Sequence, residues 1–408
     1  MSELRVLMLT PGYAPVLGGG ETHARLLSEA LVRRGHSVVV LTHGYGAPER
    51  ESLNGVEVLR TRSGVHWRSG TDRVEWEELL FGLLAEAARL LDGRQFDVIH
   101  GQCQAGLLLG SMLRPGAAQA LVATLHETEP ETDPMGSSRT AFIYRDLCVD
   151  AIVAGSDAFL AQALQYGAPP ERIHKVYMGI DIDRWRPPAP PDLGAREAMR
   201  HRLSVPATAP LALLVGRFKP RKGILEFIEA VALARADYPN LHAAIVGSGH
   251  SASTAYKENM LGAIERAGIS AAVIVAEDAF SDAEMVPLLH CADIVVQPSY
   301  REGLGLAAIE ALAAGRPVIA ASVPGLTEVI RDGLEGLMVP PRDPGALAGA
   351  IRRMLGAPEL AARLARQGRT RVEALFSIER TAYETEQIYM EVLSKRQRGT
   401  PQRLDKSG

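Results

Sequence analysis

The stretch ADIVVQPSYREGLGLAAIE, residues 292–310, decides the fold of the second half of this 408-residue chain. Its first part, Ala292–Ser299, is apolar and typical of a buried parallel strand, and a helical pattern begins near Gly305. The Gly-Leu-Gly turn therefore lies at the carboxyl end of a strand, where open α/β sheets bind ligands. Free amide groups at the helix start favour an anion there, and Glu302 and Glu310 can accept hydrogen bonds from hydroxyl groups.

The spacing of Glu302 and Glu310 excludes one familiar use of paired carboxylates. Most of the chain between them is helical, and a helix rises ~1.5 Å per residue, which predicts a separation of roughly 10 Å. Glycosidases place their acid and base about 5–9.5 Å apart. Two separate hydroxyl-binding roles fit the spacing better.

Composition bounds the class of protein. A chain with 47 % hydrophobic residues, 23 % charged residues and a net charge of −4 is typical of a globular protein and gives no basis for nucleic acid as a principal partner. The length predicts two domains. Cys103, Cys148 and Cys291 form no C-x-x-C pair, which predicts a reducing, cytoplasmic location and no zinc site.

Membrane signals are weak. Leu4–Thr10 is interpreted as a first strand rather than a signal peptide, and no apolar run approaches the ~20 residues of a membrane span. The amphipathic segment 76–85 favours core packing, and the sequence leaves a peripheral membrane contact and a homodimer open. The basic tail at 396–408 is predicted to be disordered.

Apolar strand patterns alternate with longer helical patterns, which predicts parallel sheets built from βαβ units. A proline-rich linker near 183–191 separates the two series. We predict an N-terminal domain at 1–186 completed by a C-terminal helix at 376–395, and a C-terminal domain at 187–375. The predicted strands are Leu4–Thr10, Val38–Thr42, Val56–Arg60, Asp97–His100, Leu121–His126, Ala151–Ala154, Leu211–Val215, His242–Val246, Val273–Val275, Ile294–Gln297, Pro317–Ala321 and Gly336–Val339.

Each half opens with a strand, a glycine-containing loop and a long helix, which predicts an α/β fold of two Rossmann-like domains facing a cleft. The segment Gly216–Gly223 lies between a strand and a helix near 223–236, and its cations suit a diphosphate. Its spacing is not that of a Walker loop. Gly18, Gly19 and Gly20 precede a helix near 21–34 and form a loop whose amides can surround an anion. They lack the dinucleotide-binding spacing, and a plain loop before a helix stays open.

Two further features are weaker. His126 follows a very apolar strand, so its imidazole is predicted at the same sheet edge, although an isolated histidine is more often structural. Gly247 and Gly249 follow another strand, and as a lone G-x-G they fit a tight turn as well as a ligand contact.

The segment 302–310 resembles the E-x7-E motif of retaining GT-B glycosyltransferases of family GT4, and the resemblance extends to about Leu393. It implies that Glu302, Gly303, Leu304, Gly305, Leu306 and Ala307 contact the donor sugar and its phosphate, and that Glu310 holds the ribose. It also implies that Arg217 and Lys222 bind the nucleotide diphosphate, that Gly18–Gly20 close on it, that Gly247 and Gly249 lie beside the nucleotide, and that His126 touches the sugar near the reacting carbon.

The resemblance implies a hexosyltransferase that uses a UDP-, GDP- or similar nucleotide-diphosphate sugar and retains anomeric configuration without a metal or other cofactor. The acceptor is expected to be a small-molecule, glycan or lipid-linked hydroxyl bound by the N-terminal domain, with specificity set by loops such as 61–74 and 128–139. Asp181-Ile182-Asp183 is assigned capping and linker roles rather than metal binding. The alternatives are a non-catalytic nucleotide-sugar-binding subunit and a nucleotide-sugar epimerase of the same fold; a dehydrogenase lacks its fingerprint.

Overall fold

The computed structural model describes residues 3–16, 18–62, 76–113, 119–126, 136–188, 192–248, 253–278 and 280–399. The chain forms two compact units. The N-terminal unit runs to Gly179 and resumes at Ile378, and the C-terminal unit spans Ile180–Ser377.

In the N-terminal unit, the described residues build an eight-stranded sheet of order β3-β4-β2-β1-β5-β6-β7-β8. Neighbouring strands are parallel except for the antiparallel pair β3 and β4. The strands are β1 (Arg5–Leu9), β2 (Ser37–Thr42), β3 (Arg50–Leu53), β4 (Val56–Arg60), β5 (Val98–Gly101), β6 (Ala120–Thr124), β7 (Ala151–Ala154) and β8 (Ile173–Lys175).

Helices cover both faces of this sheet. They are α1 (Gly19–Arg33), α2 (Trp76–Leu91), α3 (Gln104–Leu113), α4 (Gly136–Ala141), which continues as one π-helical segment (Phe142–Asp146), α5 (Asp157–Gln165), a short 3₁₀ turn (Pro170–Arg172) and the C-terminal helix, here called α14 (Ile378–Gly399). Alternate residues of β1 face opposite sides, as the two-residue period of a strand requires. Val6 and Met8 pack with residues of α1 and α14, whereas Leu7 and Leu9 pack with residues of α2 and α3.

The C-terminal helix belongs to the N-terminal unit. The Arg34 Nε atom donates to the buried carboxylate of Glu386 at 2.6 Å, and the phenol of Tyr389 is fully buried. The helix continues through Gly399, beyond the predicted end at 395. Residues 396–399 are thus helical rather than the start of a tail, and Arg396 bonds to Asp150 at 2.5 Å. The remainder of the predicted tail lies outside the described residues.

In the C-terminal unit, the described residues form a six-stranded parallel sheet of order β11-β10-β9-β12-β13-β14. Its strands are β9 (Leu211–Val215), β10 (His242–Gly247), β11 (Val273–Glu277), β12 (Ile294–Gln297), β13 (Val318–Ala321) and β14 (Leu337–Val339). The helices that surround them are α6 (Leu193–Arg202), α7 (Ile224–Ala234), α8 (Thr254–Arg266), α9 (Met285–Cys291), α10 (Leu306–Ala313), α11 (Leu326–Val329), α12 (Pro344–Gly356) and α13 (Pro358–Leu375), with 3₁₀ turns at Pro220–Lys222 and Asp282–Glu284.

The two parallel α/β units confirm the predicted architecture, and every predicted strand lies on an observed one. Strands β3 and β8 were not predicted from the sequence. Both are sheet-edge strands, and the polar β3 carries no apolar alternation. Among the described residues, the structure contains no helix that combines the length and the apolar character needed to cross a membrane.

Candidate active site

The order of strands in the C-terminal unit brings two predicted motifs to one place. β9 lies between β10 and β12, so the direction of strand succession reverses there. Parallel sheets bind ligands at the carboxyl ends of the strands at such a reversal. The segment 216–223 follows β9 and the segment 298–305 follows β12, so both lie at this edge.

Lys222 and Glu302 meet at this edge. The Lys222 Nζ atom donates to Glu302 Oε1 at 2.5 Å, and the two side chains are 12 % and 8 % exposed. The same oxygen accepts from Ser299 Oγ at 2.7 Å and from Gln297 Nε2 at 3.0 Å. The Glu302 carboxylate is therefore held by three donors that come from β12, from the turn after it and from the loop after β9.

The ionisation of this pair follows from its surroundings. Burial opposes the charge of Glu302, but the charge and hydrogen bond of Lys222, the charge of Arg221 and the hydrogen bond of Ser299 outweigh it and hold the pKa of Glu302 below its ordinary value. Burial lowers the pKa of Lys222, and Arg221 and Arg217 act in the same direction, whereas Glu302 opposes them. The pair is a buried ion pair with additional cations beside it.

Backbone contacts fix the two loops against each other. The Tyr300 amide donates to Arg221 O at 2.7 Å, and Arg221 Nη1 donates to Arg301 O at 3.1 Å. Arg221 Nη1 also lies 3.8 Å from Glu302 Oε2. Arg221 was given no role from the sequence, although it lies inside the segment Gly216–Gly223. Arg217 is exposed and close enough to Lys222 to influence its pKa.

The backbones of Gly216 and Gly247 approach each other very closely. A Cβ atom on Gly247 would lie 1.9 Å from Gly216 O, and the φ angle of Gly247 is +157°. The Gly216 amide donates to Val246 O at 3.0 Å. Any side chain at Gly247 would push the loop after β9 away from the edge. The predicted contact residue Gly249 lies outside the described residues.

The turn after Glu302 leads directly into α10. Gly305, the residue before that helix, has a φ angle of +93°, which favours glycine. Leu306 and Ala307 form the first turn, whose amides have no acceptor within the helix. Gly303 and Leu304 are buried, and the Leu304 side chain is only 1 % exposed. A ligand could therefore contact Leu304 only through its backbone groups.

Glu310 lies further along α10, beyond its first turn. Burial raises the pKa of its carboxyl to about 7; the charge of Arg184 opposes this rise and that of Asp282 adds to it. Arg184 is held by Asp282, with Nη2 to Oδ1 at 2.8 Å. Arg184 and Asp282 were not predicted as neighbours of Glu310, because they come from the proline-rich segment and from a distant loop.

In the N-terminal unit, His126 lies two residues past the end of β6, as predicted. Its Nε2 atom lies 3.0 Å from Gln102 Oε1, and its ring contacts the ring of His23 at a centroid distance of 5.3 Å and an angle of 63°. Burial lowers the pKa of His126 to about 4. His126 is therefore a neutral imidazole between two other polar side chains, neither of which the sequence analysis predicted.

The triple glycine differs from the predicted loop before the helix. Gly19 and Gly20 already belong to α1, and the Thr22 amide donates to Gly18 O at 2.8 Å. A Cβ atom on Gly20 would lie 3.2 Å from His126 Cδ2. The absence of side chains thus allows the first turn of α1 to approach the histidine, and Gly18–Gly20 and His126 form one cluster at the carboxyl edge of the N-terminal sheet.

Family models match both units. The model for glycosyltransferase family 4 matches residues 17–184, and that for glycosyl transferases group 1 matches residues 195–371. A D-inositol 3-phosphate glycosyltransferase of Nocardioides sp. is 31 % identical over 91 % of this chain and 85 % of its own length. The chain belongs to glycosyltransferase family 4. It is a glycosyltransferase enzyme of the GT-B fold, as the sequence resemblance implied.

Solved structures show the same fold. The sucrose-phosphate synthase from Thermosynechococcus elongatus matches with a TM-score of 0.82 and 25 % identity, over 96 % of this chain and 100 % of that one. HepE from Anabaena, solved in complex with UDP-glucose, matches with a TM-score of 0.75 and 21 % identity, over 96 % of this chain and 100 % of that one.

Proposed function

We propose that this glycosyltransferase transfers a hexose-type sugar from a nucleotide-diphosphate sugar to an acceptor hydroxyl, with retention at the anomeric carbon and without a metal ion. The observation that carries the proposal is the buried cluster of Lys222, Arg221 and Glu302 beside the first turn of α10. It offers cations, free amides and a carboxylate within one sheet edge, which are the groups that a sugar diphosphate requires.

The cations would bind the diphosphate. Lys222 and the exposed Arg217 supply positive charge, and the amides of Leu306 and Ala307 add partial positive charge at the helix start. Diphosphate oxygens would compete with Glu302 for the Lys222 ammonium group. A donor would therefore separate the ion pair and leave the Glu302 carboxylate ready to accept hydrogen bonds from sugar hydroxyls.

Glu310 would hold the ribose of the nucleotide. A carboxylate accepts two hydrogen bonds from neighbouring hydroxyls. Burial raises the pKa of the Glu310 carboxyl to about 7. To bind the ribose as a carboxylate, Glu310 must therefore release its proton when the ribose binds. Arg184, whose charge favours the ionised form, would stabilise the carboxylate in the complex.

The reaction would take place on one face of the sugar. The bond between the anomeric carbon and the phosphate oxygen breaks, the acceptor oxygen bonds to the same carbon from the same side, and the acceptor proton passes to the departing phosphate oxygen. Lys222 and Arg217 would stabilise the negative charge that develops on that phosphate. No protein carboxylate acts as a general base, since Glu302 and Glu310 have hydroxyl-binding roles.

The cations would replace a metal ion. The carboxylates of Asp181-Ile182-Asp183 have local partners: Asp181 Oδ1 accepts from the Arg184 amide at 3.2 Å, and Asp183 Oδ1 pairs with Arg186 Nη2 at 2.5 Å. These bonds support capping roles at this segment. In this proposal Lys222 and Arg217, rather than a metal ion, stabilise the negative charge of the leaving group.

The similar proteins support the substrate classes. HepE binds UDP-glucose in its solved complex, and the Nocardioides relative is named a D-inositol 3-phosphate glycosyltransferase. We propose a nucleotide-diphosphate sugar as donor, a small-molecule, glycan or lipid-linked hydroxyl as acceptor bound by the N-terminal unit, and a cytoplasmic location.

A panel of UDP-, GDP- and ADP-sugars tests the proposal. Thermal shift identifies the donor, and the release of nucleoside diphosphate is then measured with and without candidate acceptors. The expected result is stabilisation by one class of nucleotide sugar and acceptor-dependent release. Binding without release under any acceptor would support a non-catalytic role, and no stabilisation by any donor would contradict the proposed site.

A further inference from the structure

The C-terminal unit has an open pocket at the amino edge of its sheet. Its walls include Asp293 and Pro317, which directly precede β12 and β13, and Arg366 and Arg369 from α13. Its volume is about 450 Å³, and pockets that hold small organic ligands measure about 300–1,000 Å³. Glu302 follows the carboxyl end of β12, so the length of that strand separates the pocket from the candidate active site.

The walls of this pocket carry more positive than negative charge. Three arginines line it, namely Arg316, Arg366 and Arg369. Among the described lining residues, only Asp293 is acidic. Its Oδ1 atom accepts from Arg196 Nη2 and its Oδ2 atom accepts from Arg200 Nη2, both at 2.6 Å. Because these two further arginines already compensate Asp293, the positive charge of the lining is largely left over.

Two of the lining arginines lie side by side. Arg369 Nη1 donates to Ala313 O, and Arg316 Nε donates to the next carbonyl, Ala314 O, at 3.3 Å. Arg369 Nε also donates to the Glu373 carboxylate at 2.8 Å. The hydrogen bonds that Arg316 makes with described residues all go to backbone carbonyls, which carry no full charge. Adjacent guanidinium groups repel each other, and an anion between them would relieve this repulsion.

Several donors of the arginines remain unused. Arg369 Nη2 is buried and has no hydrogen-bond partner. The Arg366 side chain is exposed and makes no hydrogen bond or ion pair within the part of the chain that the structure describes. Burial lowers the pKa of Arg316 and the charge of Arg196 adds to this effect, whereas Asp293 opposes both. The pocket therefore favours a negatively charged ligand.

We propose that this pocket binds a small phosphate monoester, with Arg316 and Arg366 as donors to the phosphate oxygens and Arg369 as a further positive charge. The planar fork of a guanidinium group matches the geometry of phosphate oxygens. The small side chains of Ala362 and Ala365 line another part of the pocket and leave room for the carbon skeleton of the ester. This site is separate from the one that carries the proposed function.

Calorimetric titration of the full-length protein at pH 8 with glycerol 3-phosphate and, separately, with inorganic phosphate tests the site. Glycerol 3-phosphate should bind with a Kd of about 1 mM or tighter, and more tightly than inorganic phosphate because only the ester fills the space beside the arginines. Arg316→Gln and Arg366→Gln should each weaken its binding about 10-fold, since each loses a charged hydrogen bond. Absence of binding to the wild type, or tighter binding of inorganic phosphate, would overturn the proposal.

Two control variants locate the binding. Arg353→Gln removes one exposed positive charge from the last turn of α12 and should leave the affinity unchanged; an equal loss there would overturn the proposal. Lys222→Met removes a cation of the candidate active site and should also leave the affinity unchanged, whereas loss of binding would place the ester at that site instead.

The Arg366→Gln variant decides even if Arg316→Gln does not fold. Arg366 is exposed and its side chain bonds to no described residue, so its replacement removes no contact of the fold. Wild-type affinity in this variant would overturn the proposal. Because the titration requires no turnover and no nucleotide sugar, failure of the proposed function would be seen separately.

Discussion

Lys222 Nζ and Glu302 Oε1 lie 2.5 Å apart although the two residues are separated by 80 positions in the chain. The loops after β9 and β12 make this contact possible because those strands are neighbours in the sheet. Each side chain is nearly buried. In a buried pair, removing one partner leaves the other charge without compensation, which costs more stability than the pair contributes.

A double-mutant cycle tests the pair in the free enzyme. Lys222→Met and Glu302→Gln should each lower the free energy of unfolding, and the double variant should lose less than the two single losses together, with a coupling energy of about 1–3 kcal/mol. Urea denaturation provides the measurement. The exposed pair Lys257 and Glu277, also 2.5 Å apart in this unit, is a matched control that should couple by less than about 1 kcal/mol. Equal coupling in both pairs would contradict the buried arrangement.

Glu302→Gln and Glu310→Gln should have different effects on the ligand. In the proposed function Glu302 binds the sugar, so its variant should lose turnover far more than affinity for the free nucleoside diphosphate. In the same proposal Glu310 binds the ribose, so its variant should chiefly lose nucleotide affinity. Loss of a charged hydrogen bond is worth roughly 1.5–3 kcal/mol. Calorimetric titration with UDP or GDP and steady-state kinetics separate the two, and equal losses of nucleotide affinity would contradict the assignment.

Arg217→Ala and Lys222→Ala should each reduce the rate about 10²-fold or more, by analogy with removing one donor to a developing oxyanion. Arg266→Ala, an exposed cation at the end of α8, is the matched control and should retain wild-type rates. EDTA should leave most of the activity intact, because in the proposed function these cations take the place of a metal. A strict Mn²⁺ requirement would contradict the proposed metal independence. A normal rate in either site variant would place the diphosphate elsewhere.

The protonation of Glu310 should make stability depend on pH. Burial raises the pKa of its carboxyl from 4.5 to about 7, so the folded protein binds a proton here that the unfolded chain has already released. The contribution of Glu310 to the free energy of unfolding is thus present below pH ~4.5 and is lost as pH rises to about 7.

Urea denaturation of the wild type and Glu310→Gln at pH 5 and pH 8 measures this effect. Relative to the variant, which has no titrating group at this position, the wild type should be less stable at pH 8 than at pH 5. A difference between the two proteins that is independent of pH would show that the folded-state pKa of Glu310 is not raised.

The sequence predicted every parallel strand except β8, because the apolar runs of those strands are continuous, but it did not predict the hairpin of β3 and β4. The signal for that hairpin was present. Asn54 and Gly55 join the two strands with φ angles of +51° and +84°, the conformation that makes Asn-Gly typical of two-residue turns. The polar residues of β3 concealed the strand, since it lies at the sheet edge and Leu53 is its only apolar residue.

Motif spacing located Glu302, Lys222 and His126 at sheet edges, because each lies in the segment that follows the carboxyl end of a strand. It did not identify Gln102, His23 or Arg184, whose significance depends on contacts between distant segments. Gln102 meets His126 only because β5 and β6 are adjacent. A single sequence carries no periodic signal for such a contact.

The configuration of the transferred sugar tests the central claim most directly. With the phosphate oxygen as the acceptor of the proton, the new bond must form on the face that the leaving group occupied. Proton NMR of the product made from an α-linked nucleotide sugar should show an anomeric signal with the coupling of an α-linkage. A β-linkage would contradict the account, because it would require a general base on the opposite face, a role assigned to none of Glu302, Glu310 and His126.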